Sequence, residues 1–436
     1  MSLIHPHGNC CATSELDLHA LPVTQSDIVK SITTTKTTTN ALTPTQTTFD
    51  FTFEQTNLYT DLSSALLYLE YQVCQADGTG LADDSDAAPV NNILHSLFSS
   101  LQLLINGEKV TGNSEEYAFK AYLLTLLSNE ADTKDTLLEG CVKWKKDTAG
   151  HVGDRGDNEG WVERRTEASS ADTLCAVGHP VLDLMNQCKL LPSHCELKFI
   201  FDRSPKSFYM MGAANSPFFI KIVKAEMSIR QVQVRDEVAE VHNKAVNDPK
   251  FGPFNYPITR TRVTKHTLNG GSQDYSWTQA DTTQIPSRVV LGFVKETSAS
   301  GTITENPFFF QNFGVREVEI KYDEQKFELK TDFANKKIVK AYHQLFCATG
   351  LMSTGKNCDI SYEEFKNGYT LFAFDLTPDQ APEDVRINLL KQGKLTYTVK
   401  FAAPTTHAVS VIILSFYDNL IQLNQDRLPV TDFHMT

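Results

Sequence analysis

Ser96-Leu97-Phe98-Ser99-Ser100-Leu101-Gln102-Leu103-Leu104-Ile105-Asn106-Gly107, with the stretch centred on Lys120-Ala121-Tyr122 that follows it, has a counterpart later in the chain. The first run reads as a strand ending in a hairpin, since Asn and Gly both tolerate positive φ. In the second half, Gln311 to Asp323 places Val318, Ile320 and Tyr322 between Glu317, Glu319 and Lys321, a strand with one wet face. A helical stretch centred on Lys340-Ala341-Tyr342 comes next. The two Lys-Ala-Tyr triplets lie about half of the 436-residue chain apart. Strand, turn and helix repeated in order predict two copies of one β-rich unit.

Outward from these anchors the same period-2 pattern recurs. Phe49, Phe51 and Phe53 alternate with Asp50, Thr52 and Glu54, and Ala65–Cys74, 92–105, Glu196–Phe201 and Phe218–Val234 add strands to the first unit. The second unit draws on 256–266, 288–294, 369–376 and Leu395–Phe401. Val409–Phe416 is nearly all apolar, as in a strand covered on both faces. Helices are expected over 115–127, capped by Ser114 with an acidic first turn, and over 335–348, stopped by Gly350. Six to eight strands and one helix per unit describe an all-β chain: two tandem β-sandwiches, each a Greek-key sandwich or a jelly roll, with short helices in the inter-strand loops.

The expected division is a threonine-rich arm over 1–45, a first jelly roll over 46–235, a linker over 236–255, a second jelly roll over 256–420 and a tail over 421–436. Thr33–Thr48 has almost no large apolar side chains, so it cannot offset the entropy of folding alone and reads as a linker or a docking arm. Residues 129–175 are charged and Gly- and Asp-rich, and read as a long exposed loop.

A hydrophobic content of 41% and charge of 21% are those of a globular protein. No apolar run approaches the ~20 residues of a membrane helix, and Met1–Asp17 lacks the apolar core of a signal peptide. Nine cysteines, an odd number scattered over a long chain, speak against a disulfide framework. The net charge of −13 speaks against strong nucleic-acid binding, and Arg164-Arg165 and Lys143–Lys146 lie among acidic neighbours.

Catalytic and metal signatures fail on chemistry. Gly350–Lys356 resembles a phosphate-binding loop, but Asn357 stands where Ser or Thr must hold magnesium. His5-Pro6-His7 with Cys10-Cys11, and the set Cys188, His194 and Cys195, lack zinc-ligand spacing. His95, His266 and His407 are isolated, and Glu363-Glu364 reads as a solvated face. No catalytic, cofactor or metal residue is therefore expected. Arg155-Gly156-Asp157, a tripeptide that integrins read, is a candidate receptor contact or a solvated turn. Trp144, Trp161 and Trp277 are the only tryptophans available to a glycan platform.

Pro89–Phe98, Ile105-Asn106-Gly107, the 117–127 helix and Asp147-Thr148-Ala149-Gly150-His151 resemble segments of the double jelly-roll major capsid proteins of double-stranded DNA viruses, and look most like the Polinton (Maverick) and adintovirus type. Phe372–Asp379 is similar to a second-half segment of the same group. The resemblance implies a homotrimer of six sandwiches tiling an icosahedral shell, with 129–175 and 267–287 rising as outward towers. It further implies penton and minor capsid partners, a virion location with synthesis in the host cytoplasm and assembly in the nucleus, no secretion, and no enzymatic role. The competing reading is a receptor- or glycan-binding minor capsid or spike subunit.

Overall fold

Eight strands build the first sandwich, β1 (Ile28–Thr37), β2 (Thr48–Phe53), β3 (Tyr59–Cys74), β4 (Phe98–Ile105), β5 (Glu108–Lys109), β6 (Leu174–Gly178), β7 (Leu197–Arg203) and β8 (Phe219–Val234), and the short strands Ala87–Pro89 and Met210–Gly212 pair beside them. Eight more follow: β9 (Phe254–Leu268), β10 (Asp274–Gln279), β11 (Arg288–Lys295), β12 (Val315–Tyr322), β13 (Gln325–Lys330), β14 (Leu371–Asp375), β15 (Leu395–Phe401) and β16 (Val409–Leu423). The computed structural model describes residues 18–19, 21, 26–82, 85–111, 116–170, 173–214, 217–279, 284–354, 356–378, 388 and 392–432.

Strand pairing is antiparallel and the same in both halves. The first half forms sheets β1-β8-β3-β6 and β2-β7-β4-β5, and the second forms β9-β16-β11-β14 and β10-β15-β12-β13. Adding eight to every label of one half gives the other. The chain crosses between two facing sheets in the jelly-roll order, twice. Helix α1 (Tyr117–Ser128) lies between β5 and β6, and α4 (Val339–Ala348) lies between β13 and β14. Both Lys-Ala-Tyr triplets therefore occupy one place in the repeated unit. The hairpins match as well: Asn106 and Gly107 close β4 to β5 at φ 51° and 83°, and Asp323 at φ 49° closes β12 to β13.

Each sandwich fills its centre with aromatic and branched side chains. Phe49, Phe51 and Phe53 are buried, and the Phe51–Phe201 and Phe53–Phe199 ring pairs meet edge-on at 5.9 and 6.2 Å. The buried apolar residues of the two halves form one continuous cluster.

Several boundaries differ from the sequence reading. Threonine-rich residues taken for an arm form β1, because an edge strand needs backbone pairing more than apolar side chains. Thr34 Oγ1 also donates to Gln231 Oε1 at 2.7 Å. The expected strand over 92–105 begins only at Phe98: Asn92 takes φ 58° and Ile93–Ser96 make a helical turn. The linker over 236–255 contains helix α3 (Asp236–Asn247), and 267–287 carries strand β10. β16 runs past residue 420 to Leu423, and Pro429–Thr431 of the supposed tail pairs with it. The second helix starts at Val339 rather than 335.

If β1 is integral to the sandwich, Thr34→Val removes the donor to the buried Gln231 side chain and costs about 1 kcal/mol. Thr33→Val, at an exposed position, is neutral. Urea denaturation of the two variants checks this; equal stability would return the segment to the status of a linker.

Candidate functional site

The seam between the sandwiches is built from the segment that composition marks as a long exposed loop. Trp144 and Trp161 are each 1% exposed, and Lys134, Asp147, Val152, Asn158 and Arg164 are also buried. The charged composition misleads because these polar groups find partners inside. Helix α2 (Glu159–Ser170) carries Arg164 inward. The guanidinium donates from Nη2 to Asp147 Oδ1 at 2.6 Å, from Nη1 to the Lys145 carbonyl at 2.6 Å and from Nε to the Pro89 carbonyl at 2.9 Å.

Asp147 is the hub of this network. Its Oδ1 also accepts from Asn158 Nδ2 at 2.9 Å, while Oδ2 accepts from Asn306 Nδ2 at 3.1 Å and its backbone carbonyl accepts from the Tyr369 hydroxyl at 2.6 Å. Asn306 and Tyr369 belong to the second half, in the β11–β12 and β13–β14 connections. A buried charge pair is tolerable only when its remaining hydrogen-bonding capacity is filled, and here residues from both halves fill it.

Around the hub, ionic and aromatic contacts extend the seam. Lys146 Nζ reaches Glu364 Oε1 at 2.8 Å and Asp359 Oδ2 at 3.1 Å. Burial pushes the Glu364 carboxyl up, but hydrogen bonds from Lys146 and Ser361 outweigh it and hold the group below its ordinary range. Glu364 also closes a capping box with Ser361 at the start of α5 (Tyr362–Lys366), so it is not the solvated face expected of it. Lys134 donates to the Leu126 and Cys358 carbonyls at 2.8 and 2.9 Å, and burial lowers its pKa to about 8 against the opposing pull of Asp359. Tyr122 of α1 stacks on Phe308 at 4.1 Å and on Trp144 at 5.2 Å.

At a second contact, one side of the first sandwich meets the edge strand β9. Lys120 Nζ bonds Asp183 Oδ1 at 2.8 Å and the Thr261 carbonyl at 3.2 Å. Lys189 Nζ donates to the Asn255 carbonyl at 2.8 Å, and the Tyr256 hydroxyl donates to the Leu190 carbonyl at 3.0 Å.

The candidate receptor tripeptide sits on a turn at the seam's rim. Gly156 and Asp157 are exposed, while Arg155 is ion-paired with Asp86. His151 Nδ1 lies 2.8 Å from Asp154 Oδ2 and 4.0 Å from Asp157 Oδ2, all at the surface. Trp144 and Trp161 are withdrawn from any glycan platform, and Trp277 is stacked between His266 and Tyr397 at 4.3 and 5.3 Å. His95 is buried against the Tyr117 hydroxyl at 3.0 Å, and burial lowers its pKa to about 4. Cys188 is exposed and Cys195 buried; His5, His7, Cys10 and Cys11 lie outside the described residues. Sequence reasoning missed Arg164, Asn158, Asn306 and Tyr369 as seam residues. The available signal was the run Asp147–His151, which carries the capsid resemblance and turns out to contain the hub.

No family model matches the sequence. A Caenorhabditis elegans chain described as uncharacterized protein F54H12.2 is 26% identical over 353 residues, covering 79% of this chain and 82% of its own length. Among solved structures, the chain is similar to one in the cryo-EM structure of the Sputnik virophage, with TM-score 0.62, 12% identity and coverage of 98% of this chain and 93% of that one. It is also similar to a chain of the PBCV-1 virus capsid (TM-score 0.59, 10% identity, 96% and 99% covered). The mavirus major capsid protein is a further match (0.53, 12%, 99% and 97%). The fold is the double jelly roll of these capsid proteins.

Asp147→Ala strands the Arg164 guanidinium in the seam and lowers unfolding free energy by about 3–5 kcal/mol in guanidinium titrations. A loss under 1 kcal/mol would remove Asp147 from the role of hub. For Lys134 the unfolded chain binds the extra proton between the folded value near 8 and the ordinary 10.5. Stability contributed by this group therefore rises with pH across that window. Lys134→Met flattens the rise between pH 8 and 10, measured by melting against wild type.

Proposed function

We propose that this chain is a structural shell protein, the major capsid subunit of a double-stranded DNA virus or related element. Three copies form a pseudo-hexagonal block of six sandwiches, and such blocks tile an icosahedral shell. The observation that carries this reading is the strand-for-strand doubling, β1–β8 repeated as β9–β16, joined by a hydrogen-bonded seam into one unit. Two equivalent sandwiches per chain let a three-fold assembly present six similar sides, and extended packing between copies, rather than any reactive site, supplies the function.

The local resemblances at Pro89–Phe98 and Asp147–His151 favour the Polinton (Maverick) type. The similarity to a nematode chain fits an element carried in an animal genome. Penton and minor capsid proteins are its expected partners and the virion its location, and the shell encloses its genome without strong contact to nucleic acid. The proposed role involves no catalysis. Withdrawal of Trp144 and Trp161 into the core weighs against the glycan-binding alternative. The exposed Asp157 leaves the Arg155-Gly156-Asp157 turn as a receptor contact only if Arg155 leaves Asp86.

Purified protein is expected to sediment at three times 48.7 kDa, and overexpression is expected to yield shells or hexagonal sheets in negative-stain micrographs. A strict monomer at high concentration, with no ordered assemblies, would overturn the reading.

A further inference from the structure

The two sandwiches of one chain do not meet symmetrically. A side of the first, made of α1 and residues 183–190, lies against the edge strand β9 of the second. A contact that joins two different surfaces leaves one of each unused: the α4 side of the second sandwich, and the edge strand β1 of the first. Such a head-to-tail contact can be repeated from copy to copy, and it ends in a closed ring if the rotation closes.

The unused surfaces carry the marks of an absent partner. Phe119 and Lys120 of α1 are buried, Phe119 against Phe308 of the second half and Lys120 on the β9 edge. The matching positions on α4 are Val339, which is 62% exposed, and Lys340, which is exposed and has no hydrogen bond or ion pair among the described residues. The next residue, Ala121 or Ala341, is fully buried in both helices, so the two helices sit on their own sandwiches alike. Beyond the change from Phe119 to Val339, they differ in what covers them. On the other surface, β9 buries Tyr256, Ile258 and Val263, whereas β1 exposes Ile28, Val29 and Ile32 along an edge with no strand beyond it among the described residues. An open edge with apolar side chains is a template for association.

We propose that α4 of one copy packs on the β1 edge of a second copy of this chain, repeating between chains the contact that α1 makes with β9 inside one. Val339 takes the place of Phe119, and the Lys340 ammonium donates to a backbone carbonyl of β1 as that of Lys120 does to Thr261. Three such contacts close the ring. This rests on the trimer proposed above and assigns its interface.

Sedimentation of the full-length chain tests it with two variants at exposed positions, Val339→Asp/Lys340→Glu on α4 and Val29→Asp/Ile32→Asp on β1. Wild type is expected as a trimer and each variant alone as a folded monomer, with an unchanged far-ultraviolet circular dichroism spectrum and a melting temperature that no longer depends on protein concentration. Mixed in equal amounts at high concentration, the variants still share one intact α4 face and one intact β1 edge. They are expected to stop at a two-chain species. Should a double variant fold poorly, Lys340→Ala reads the same contact as a rise of about tenfold in the concentration at which the trimer dissociates. A trimer that survives either double variant, or is unmoved by Lys340→Ala, overturns this interface and leaves the trimer standing. Monomeric variants that never pair on mixing overturn the head-to-tail arrangement. A monomeric wild type overturns the trimer and the interface together.

Discussion

A carboxylate and a guanidinium taken out of water are stable only where every remaining lone pair and N–H is met. Asp147 and Arg164 impose that condition on the place where the two sandwiches join. Breaking such a pair costs more than forming it gains, so its main effect is on specificity. Only one relative placement brings Asn306 and Tyr369 of the second half onto Asp147 of the first. Any sliding of the halves leaves a charge desolvated and unmatched. The stacked Tyr122, Phe308 and Trp144 supply apolar burial that tolerates small shifts, whereas the polar hub does not. Together they make a unit with a fixed angle between its sandwiches.

How much of this is legible in the sequence depends on which rule each segment obeys. Strands with one wet and one dry face, such as Phe49–Phe53 and Leu395–Phe401, follow the period-2 rule and are found where expected. The Asn106-Gly107 turn is equally direct, since the residue chemistry and the backbone angles agree. Where polarity stands in for exposure, the reading fails. Residues 129–175 look wet because they are charged, and Asp132, Asp135 and Glu159 are indeed exposed, yet Lys134, Lys146, Asp147 and Arg164 turn inward to partners in the seam. Two tryptophans in a segment that looks solvated were the warning. Thr33–Thr37 fails for the opposite reason: its side chains bury little, and the backbone ladder with β8 does the ordering.

The two halves have kept topology more faithfully than surface. Ala121 and Ala341 remain buried against their own sheets, while the residue two positions before each has diverged from Phe to Val. Divergence at matched positions separates what a sandwich needs to fold from what it shows to its surroundings, because the first demand is shared by both halves and the second is not. The connections differ in the same sense. Between β5 and β6 the chain supplies most of the seam, whereas the corresponding β13–β14 connection mainly receives it.

The pairing of β1 with β8 also has a temporal side. Thr34 meets Gln231 across a separation of 197 residues, so the first sandwich cannot close until more than half the polypeptide has left the ribosome. Strands made early must wait unpaired, and topologies dominated by distant contacts fold slowly and expose sticky intermediates meanwhile. Synthesis in bulk would place this chain among the heavier clients of the cell's chaperones.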